Sequence, residues 1–124
     1  MTKQNLDEYI SEEYGVLPDW PWDDLTAYVF RHKDNRKWFA LAMEINENKL
    51  GADGDKNIWV LNTKCDPMLK TSFLSLKGVY VAYHMNKEHW LTIRLDEVGD
   101  EDLKTLIQIS YNLTKKKYKI IKSA

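Results

Sequence analysis

The sequence predicts an α+β domain: a mainly antiparallel sheet, built as a three-stranded meander plus one or two C-terminal strands, with helices packed on it. Three observations carry this. Apolar residues recur at helical spacing near both ends of the chain. Between Leu25 and Asn62 short alternating runs are separated by turn chemistry. The element order (α, three strands, α, one or two strands, α) suits helices laid on one side of a sheet rather than a parallel βαβ fold.

Leu6, Tyr9, Ile10 and Tyr14 share one face of a helix near residues 3–14, and Gly15 is placed to end it in a left-handed turn. Pro18 and Pro21 impose an irregular link that folds Trp20 and Trp22 against the body. Leu25 to Arg31 reads as a strand, His32 to Arg36 as a hairpin turn in which Asp34 and Asn35 tolerate the dihedrals. Lys37 to Ile45 is the second strand. Its alternation puts Trp38, Ala40, Ala42 and Glu44 on one face and Phe39, Leu41, Met43 and Ile45 on the other. A loop with Gly51 and Gly54 leads to a third strand, Asn57 to Asn62. Asp66 and Pro67 form a helix start, cap then first helical position, for a helix near residues 66–77 whose apolar face is Leu69, Phe73, Leu74 and Leu76, closed by Gly78. Val79 to Met85 is extended, and Trp90 to Leu95 alternates as a strand with Trp90 largely buried. The last helix, near residues 100–116, carries the stripe Leu103, Leu106, Ile107, Ile109, Ser110 and Leu113.

With 124 residues, 44% of them hydrophobic and fifteen aromatic, the chain can build its own core without a metal or disulfide. No linker or repeat divides it, so residues 1–124 read as one domain, with a core over about 6–114 and a basic tail over 115–124. The single cysteine, Cys65, fits a reducing compartment. The N-terminus has no signal-peptide apolar region, and no apolar run is long enough to span a membrane. A cytoplasmic monomer is expected. The net charge of −1 conceals a polarity. Lys3 against Asp7, Glu8, Glu12, Glu13, Asp19, Asp23 and Asp24 leaves residues 1–24 at −6, whereas Lys104, Lys115, Lys116, Lys117, Lys119 and Lys122 bring residues 103–124 to +6. Either these are solvated faces, or they form an electrostatic handle for an anionic partner.

The segment from His84 to Trp90 gathers two histidines, an amide, a lysine and an indole. Such a group can hydrogen-bond phosphate or sugar while the ring stacks on a base. The alternative is structural: Asn86 caps a helical turn, the histidines tie that turn to the sheet, and Trp90 is core. As metal ligands His84 and His89 are five apart, off the four-residue spacing of a helical pair, and Glu88 and His32 join them only if the fold brings them near. Cys65 and Ser110 lack any nucleophile signature, and Ser110 reads as a small packing residue. Gly51 to Asp55 offers too few oxygens for calcium and is a turn. Lys64, just before the helix start at Asp66, makes a secondary anion site, although the Asp66 carboxylate competes for it.

The runs Leu61-Asn62-Thr63-Lys64-Cys65-Asp66-Pro67 and Tyr83-His84-Met85-Asn86-Lys87-Glu88-His89-Trp90, then Ser110-Tyr111, resemble the MmcQ/YjbR family. Val29-Phe30-Arg31 and Lys37-Trp38-Phe39-Ala40 match its opening hairpin, and the resemblance runs from about Leu6 to Thr114. It implies a compact fold similar to the bacterial frataxin homologue CyaY and a DNA-binding role.

The reading is therefore a non-enzymatic protein that binds double-stranded DNA without a cofactor or metal. Lys64, His84, Asn86, Lys87, His89 and Trp90 form the expected contact surface, helped by Arg31, Lys33, Arg36 and Lys37. Two rivals stand beside it. A protein-interaction or regulatory module would show an exposed apolar patch on the sheet, and a small-molecule or metal-dependent enzyme would show a pocket joining His84, His89 and Cys65.

Overall fold

The computed structural model describes residues 1–117; Lys119 and Lys122 of the basic tail lie outside the described residues. Helix α1 spans Lys3–Tyr14. The Thr2 hydroxyl accepts from the Asn5 N–H at 3.1 Å, and Gly15, at φ 68°, closes the helix by donating its N–H to the Ser11 carbonyl. Strands β1 (Ala27–Arg31), β2 (Trp38–Asn46) and β3 (Asn57–Lys64) form the expected antiparallel meander. Strands β4 (Val79–Val81) and β5 (Trp90–Arg94) extend it into a five-stranded sheet of order β1-β2-β3-β5-β4, with every pair antiparallel. A bridge between Asp19 and Val29 covers the β1 edge.

Helix α3 (Asp100–Thr114) lies against β2 and β3. Its Leu103, Leu106 and Ile107 join Leu6 and Ile10 of α1 over Tyr28, Phe30, Ala42, Leu61, Leu91 and Ile93 of the sheet. The opposite face carries a second buried cluster, Val29, Leu41, Met43, Ile58 and Val60, against which Trp38, Leu50, Tyr83 and Met85 pack. Both faces of the sheet are therefore covered, one by helices and one by loops and rim side chains.

Three expectations about individual elements need correction. The first concerns β2, where alternation puts Phe39 with Leu41. The register slips between Phe30 and Arg31, which pair with Ala40 and Trp38, so Phe39 is the extra residue of a bulge. Phe39 turns to the helix side among Tyr14, His32 and Tyr111, and Trp38 packs on the other face.

The helix expected over 66–77 is shorter. Asp66 does cap, accepting from the Met68 N–H at 2.9 Å, but a 3-10 turn (Pro67–Leu69) follows and α2 covers only Lys70–Leu74. Ser75 and Leu76 then bond back three residues to Ser72 and Phe73, which tightens the chain out of the helix. Gly78, at φ 84°, belongs to the turn into β4, where an added Cβ would stand 2.6 Å from the Val98 nitrogen.

The extended run expected from Val79 to Met85 ends at Val81. Asn62 and Thr92, buried between β3 and β5, take over the Tyr83 backbone: Asn62 Nδ2 donates to the Tyr83 carbonyl at 3.0 Å and the Thr92 hydroxyl accepts from its N–H at 2.8 Å. These side chains replace ladder partners, so the chain leaves the edge and folds across the outer face of the sheet.

Candidate nucleic-acid interface

The antiparallel order places one end of every strand at the same end of the sheet. Arg31 ends β1, Trp38 opens β2, Lys64 ends β3 and Trp90 opens β5 directly opposite Lys64. The β1–β2 turn with Lys33, Arg36 and Lys37 is there, as is the later part of the β4–β5 loop, Asn86 to His89. The last turn of α3 joins them, since the Thr114 carbonyl accepts from Asn35 Nδ2 at 2.9 Å and the Thr114 hydroxyl bonds His32 Nε2 at 2.8 Å. Nine of the ten residues expected at the site lie toward this end of the molecule, together with Lys70 and the described part of the basic tail, Lys115, Lys116 and Lys117. His84 does not, because the chain crosses the outer face after β4 and sets it in a groove with Asp24, Ala27, Met43, Glu44 and Asn46 toward the other end of β2. The turn and the loop stand at opposite corners, with Lys64 between them.

The opposite end is acidic. It carries Glu47 after β2, Asp53 and Asp55 in the following loop, Asp96 and Glu97 after β5, and Asp100, Glu101 and Asp102 in the first turn of α3. Arg94 organises part of it. Its guanidinium donates to Asp96 at 2.5 and 3.1 Å and stands 3.3 Å from Glu97 and 3.9 Å from Glu47. The Asp96 carboxyl is held below the usual range by those Arg94 hydrogen bonds, and Glu97 also accepts from the Tyr80 hydroxyl.

Within the β4–β5 loop the backbone is ordered by its own side chains. Asn86 Oδ1 accepts from the Glu88 N–H at 2.8 Å and the Asn86 carbonyl from the Trp90 N–H at 3.0 Å, the capped turn that the structural reading expects. The His89 carbonyl accepts from the Cys65 N–H at 2.8 Å, which ties the turn to the end of β3. Lys87 Nζ donates to the Ala82 carbonyl at 3.1 Å, and Lys70 Nζ to the Lys87 carbonyl at 2.9 Å. His84 sits at φ 61° with its ring 4.0 Å from that of Tyr83 and stays exposed, as do Asn86 and Lys87, while His89 is half-buried. Trp90 is half-buried too, opening its strand beside Lys64 at the sheet end and not in its middle.

In the β1–β2 turn, Asp19 holds two of the expected contact residues. Arg31 Nε donates to it at 2.6 Å and an Arg36 nitrogen stands 3.5 Å away, while the Arg31 guanidinium lies 5.6 Å from the Trp38 ring centroid. Lys33 and Lys37 are exposed, and Lys33 lines both open grooves flanking the turn, of about 450 and 380 Å³. His32 lies apart from His84 and His89, buried among Phe39, Tyr111 and Thr114, and burial lowers its pKa. Cys65 is buried, and burial pushes its thiol up. Among the described residues no three His, Cys, Asp or Glu side chains gather as a metal site, and no helix is long and apolar enough to cross a membrane.

Two features escaped the sequence reading. Ser110 is more than a packing residue, since its hydroxyl bonds backbone groups of both β2 and β3. The Asn62–Thr92 pair, joined at 2.5 Å, was legible only as polar residues falling on an otherwise apolar face.

The YjbR family model matches residues 12–113. The Bacillus subtilis (strain 168) protein YyaQ, described as uncharacterized, is 37% identical over 117 residues, which cover 93% of this chain and 99% of that one. The crystal structure of a Pseudomonas syringae protein is similar at a TM-score of 0.90 and 42% identity, covering 93% of this chain and all of that one. The crystal structure of Deinococcus radiodurans DR2400, whose domain is named DUF419, is similar at a TM-score of 0.68 and 28% identity, covering 94% and 80% of the two chains.

Proposed function

The chain belongs to the YjbR family, and from that premise we propose that it is a non-enzymatic protein that binds double-stranded DNA through the basic end of its sheet. The observation that carries the reading is the convergence of cations from separate elements: Arg31, Lys33, Arg36 and Lys37 at one corner, Lys64 between, Lys70 and Lys87 at the other, and Lys115 to Lys117 beside the turn. The acidic far end orients this face toward an anion and away from the rest of the molecule. The two corners are about three strand spacings apart, roughly 14 Å, similar to the roughly 12 Å width of a major groove. Each corner thus reaches the backbone of a different strand. Lysines and arginines neutralise phosphates there, and Asn86 and His89 fix position along the backbone. Titrating labelled duplex at rising salt tests this, because phosphate contacts release counterions and their loss is steep. No binding at low salt removes the reading.

A specific observation favours a second reading, a protein-interaction module. Leu17, Trp20, Trp22 and Leu25 are exposed in the link between α1 and β1. That apolar surface lies on a loop rather than on the sheet face, which Tyr83, Met85 and Leu50 help to cover. A protein that ignores duplex DNA but associates through this link would make that reading lead.

A further inference from the structure

Lys3 stands in a box of aromatic rings. Its Nζ lies 4.7 Å from the Tyr28 ring centroid, 5.2 Å from Trp59 and 5.6 Å from Trp20. Asp7 completes the enclosure: Oδ2 accepts from Lys3 Nζ at 3.2 Å and Oδ1 accepts from the Tyr28 hydroxyl at 2.6 Å. Four elements assemble it. Helix α1 supplies Lys3 and Asp7, β1 supplies Tyr28, β3 supplies Trp59, and the link before β1 supplies Trp20, stacked on Tyr28 with centroids 4.5 Å apart. The box is open at one side, where Trp20 is 40% exposed, and an open cavity of about 650 Å³ lined by Lys3, Ile58 and Trp59 runs beside it.

A primary ammonium is an imperfect occupant. It has three N–H donors, and Asp7 accepts one; the others meet ring faces and solvent. Ring faces attract positive charge through their quadrupoles but are weak hydrogen-bond acceptors. A methylated ammonium keeps the charge, has no donors left to satisfy, and presents methyl groups to the rings. We propose that Trp20, Tyr28, Trp59 and Asp7 form a binding site for a methylated ammonium group, and that Lys3 is a resident stand-in which the ligand displaces. Lys3 sits in the first turn of α1 on a flexible four-carbon stem, so its ammonium swings out without moving the helix. The partly exposed Lys3–Asp7 pair it gives up is of a kind that contributes little. Its residues are separate from those of the basic end, so this site does not depend on the DNA-binding reading.

The same chemistry arrives on a trimethyllysine side chain or on a free choline-like cation. The test uses tetramethylammonium, a trimethyllysine peptide and its unmodified counterpart, read by tryptophan fluorescence on the wild-type chain and on Lys3→Ala. Emptying the box should tighten tetramethylammonium binding by about tenfold or more, because a self-occupied site binds only in its open fraction. Trp59→Ala in the same background should abolish it. A trimethyllysine peptide that binds more tightly than tetramethylammonium, with the unmodified peptide weak, identifies a protein source; equal affinities identify a free cation. A folded Lys3→Ala chain that binds neither probe saturably overturns the proposal. Should that variant not fold, the indole N–H resonances of the wild-type chain decide. Tetramethylammonium, but not sodium at equal concentration, should shift Trp20 and Trp59 and leave Trp22 and Trp38 in place, and identical responses to both ions overturn it.

Discussion

The Ser110 hydroxyl donates to the Phe39 carbonyl at 2.6 Å and accepts from the Lys64 N–H at 2.8 Å. A side chain of α3 thus stands in the β2–β3 ladder at the bulge, where the backbone pairing of the two strands ends at Ala40 and Thr63. Ser110→Ala leaves a buried carbonyl and a backbone N–H without a partner. It should lower stability by about 1–3 kcal/mol, the cost of an unmet buried polar group. Urea denaturation measures this as a lower midpoint at unchanged slope. An unchanged midpoint would mean the ladder does not need the hydroxyl.

Trp90 is half-buried at the sheet end, so Trp90→Ala should cost less than the about 3–5 kcal/mol of a core tryptophan, nearer about 2 kcal/mol. A loss at the full core value would show that the indole is sealed in solution.

His32 makes stability depend on pH. The Thr114 hydroxyl donates to the Ser110 carbonyl at 2.8 Å, so its oxygen accepts from His32 and the ring carries its proton on Nε2. Burial is the main cause lowering the His32 pKa, opposed by nearby Asp34. The unfolded chain then binds a proton more readily than the folded one. The stabilisation from the neutral ring is complete above the unfolded value of about 6.5 and is lost as pH falls below it toward the lowered folded value. Melting temperatures should fall between about pH 7 and pH 5 in the wild-type chain and change less in His32→Gln. Parallel curves would assign the dependence to other groups.

The basic end predicts a salt dependence. Duplex affinity should fall by about 0.9 log unit per log unit of salt for each phosphate contact, and Lys37→Gln or Lys64→Gln should each reduce that slope by about 1. Both should weaken binding to all sequences alike, because phosphate contacts carry no sequence information. Ending the chain after Thr114 separates the folded surface from the basic tail. If the shortened chain no longer binds duplex at low salt, the tail alone provided the affinity, and the turn and loop are not a DNA site.

The α+β class, the meander, α1, α3 and the Asp66 cap were all legible in the sequence. Each depends on local terms: apolar spacing, turn residues and capping, which act within one element or between chain neighbours. The family was legible too, from the runs Leu61 to Pro67 and Tyr83 to Trp90. What tertiary structure alone decided is where local rules give way to distant partners. Phe39 changes faces because a bulge lets it join Tyr14, His32 and Tyr111, and Ser110, seventy-one residues away, completes its hydrogen bonding. The chain leaves β4 after Val81 because Asn62 and Thr92 hold Tyr83 more completely than an edge ladder can. The gathering of cations at one end follows from strand order, and the rings around Lys3 come from three separate stretches, the link before β1, β1 and β3. Sequence spacing encodes which way a side chain points along its own element. Which side chains meet across the core is set only when the elements pack, because a buried polar group or charge must find its partner wherever the fold has put one.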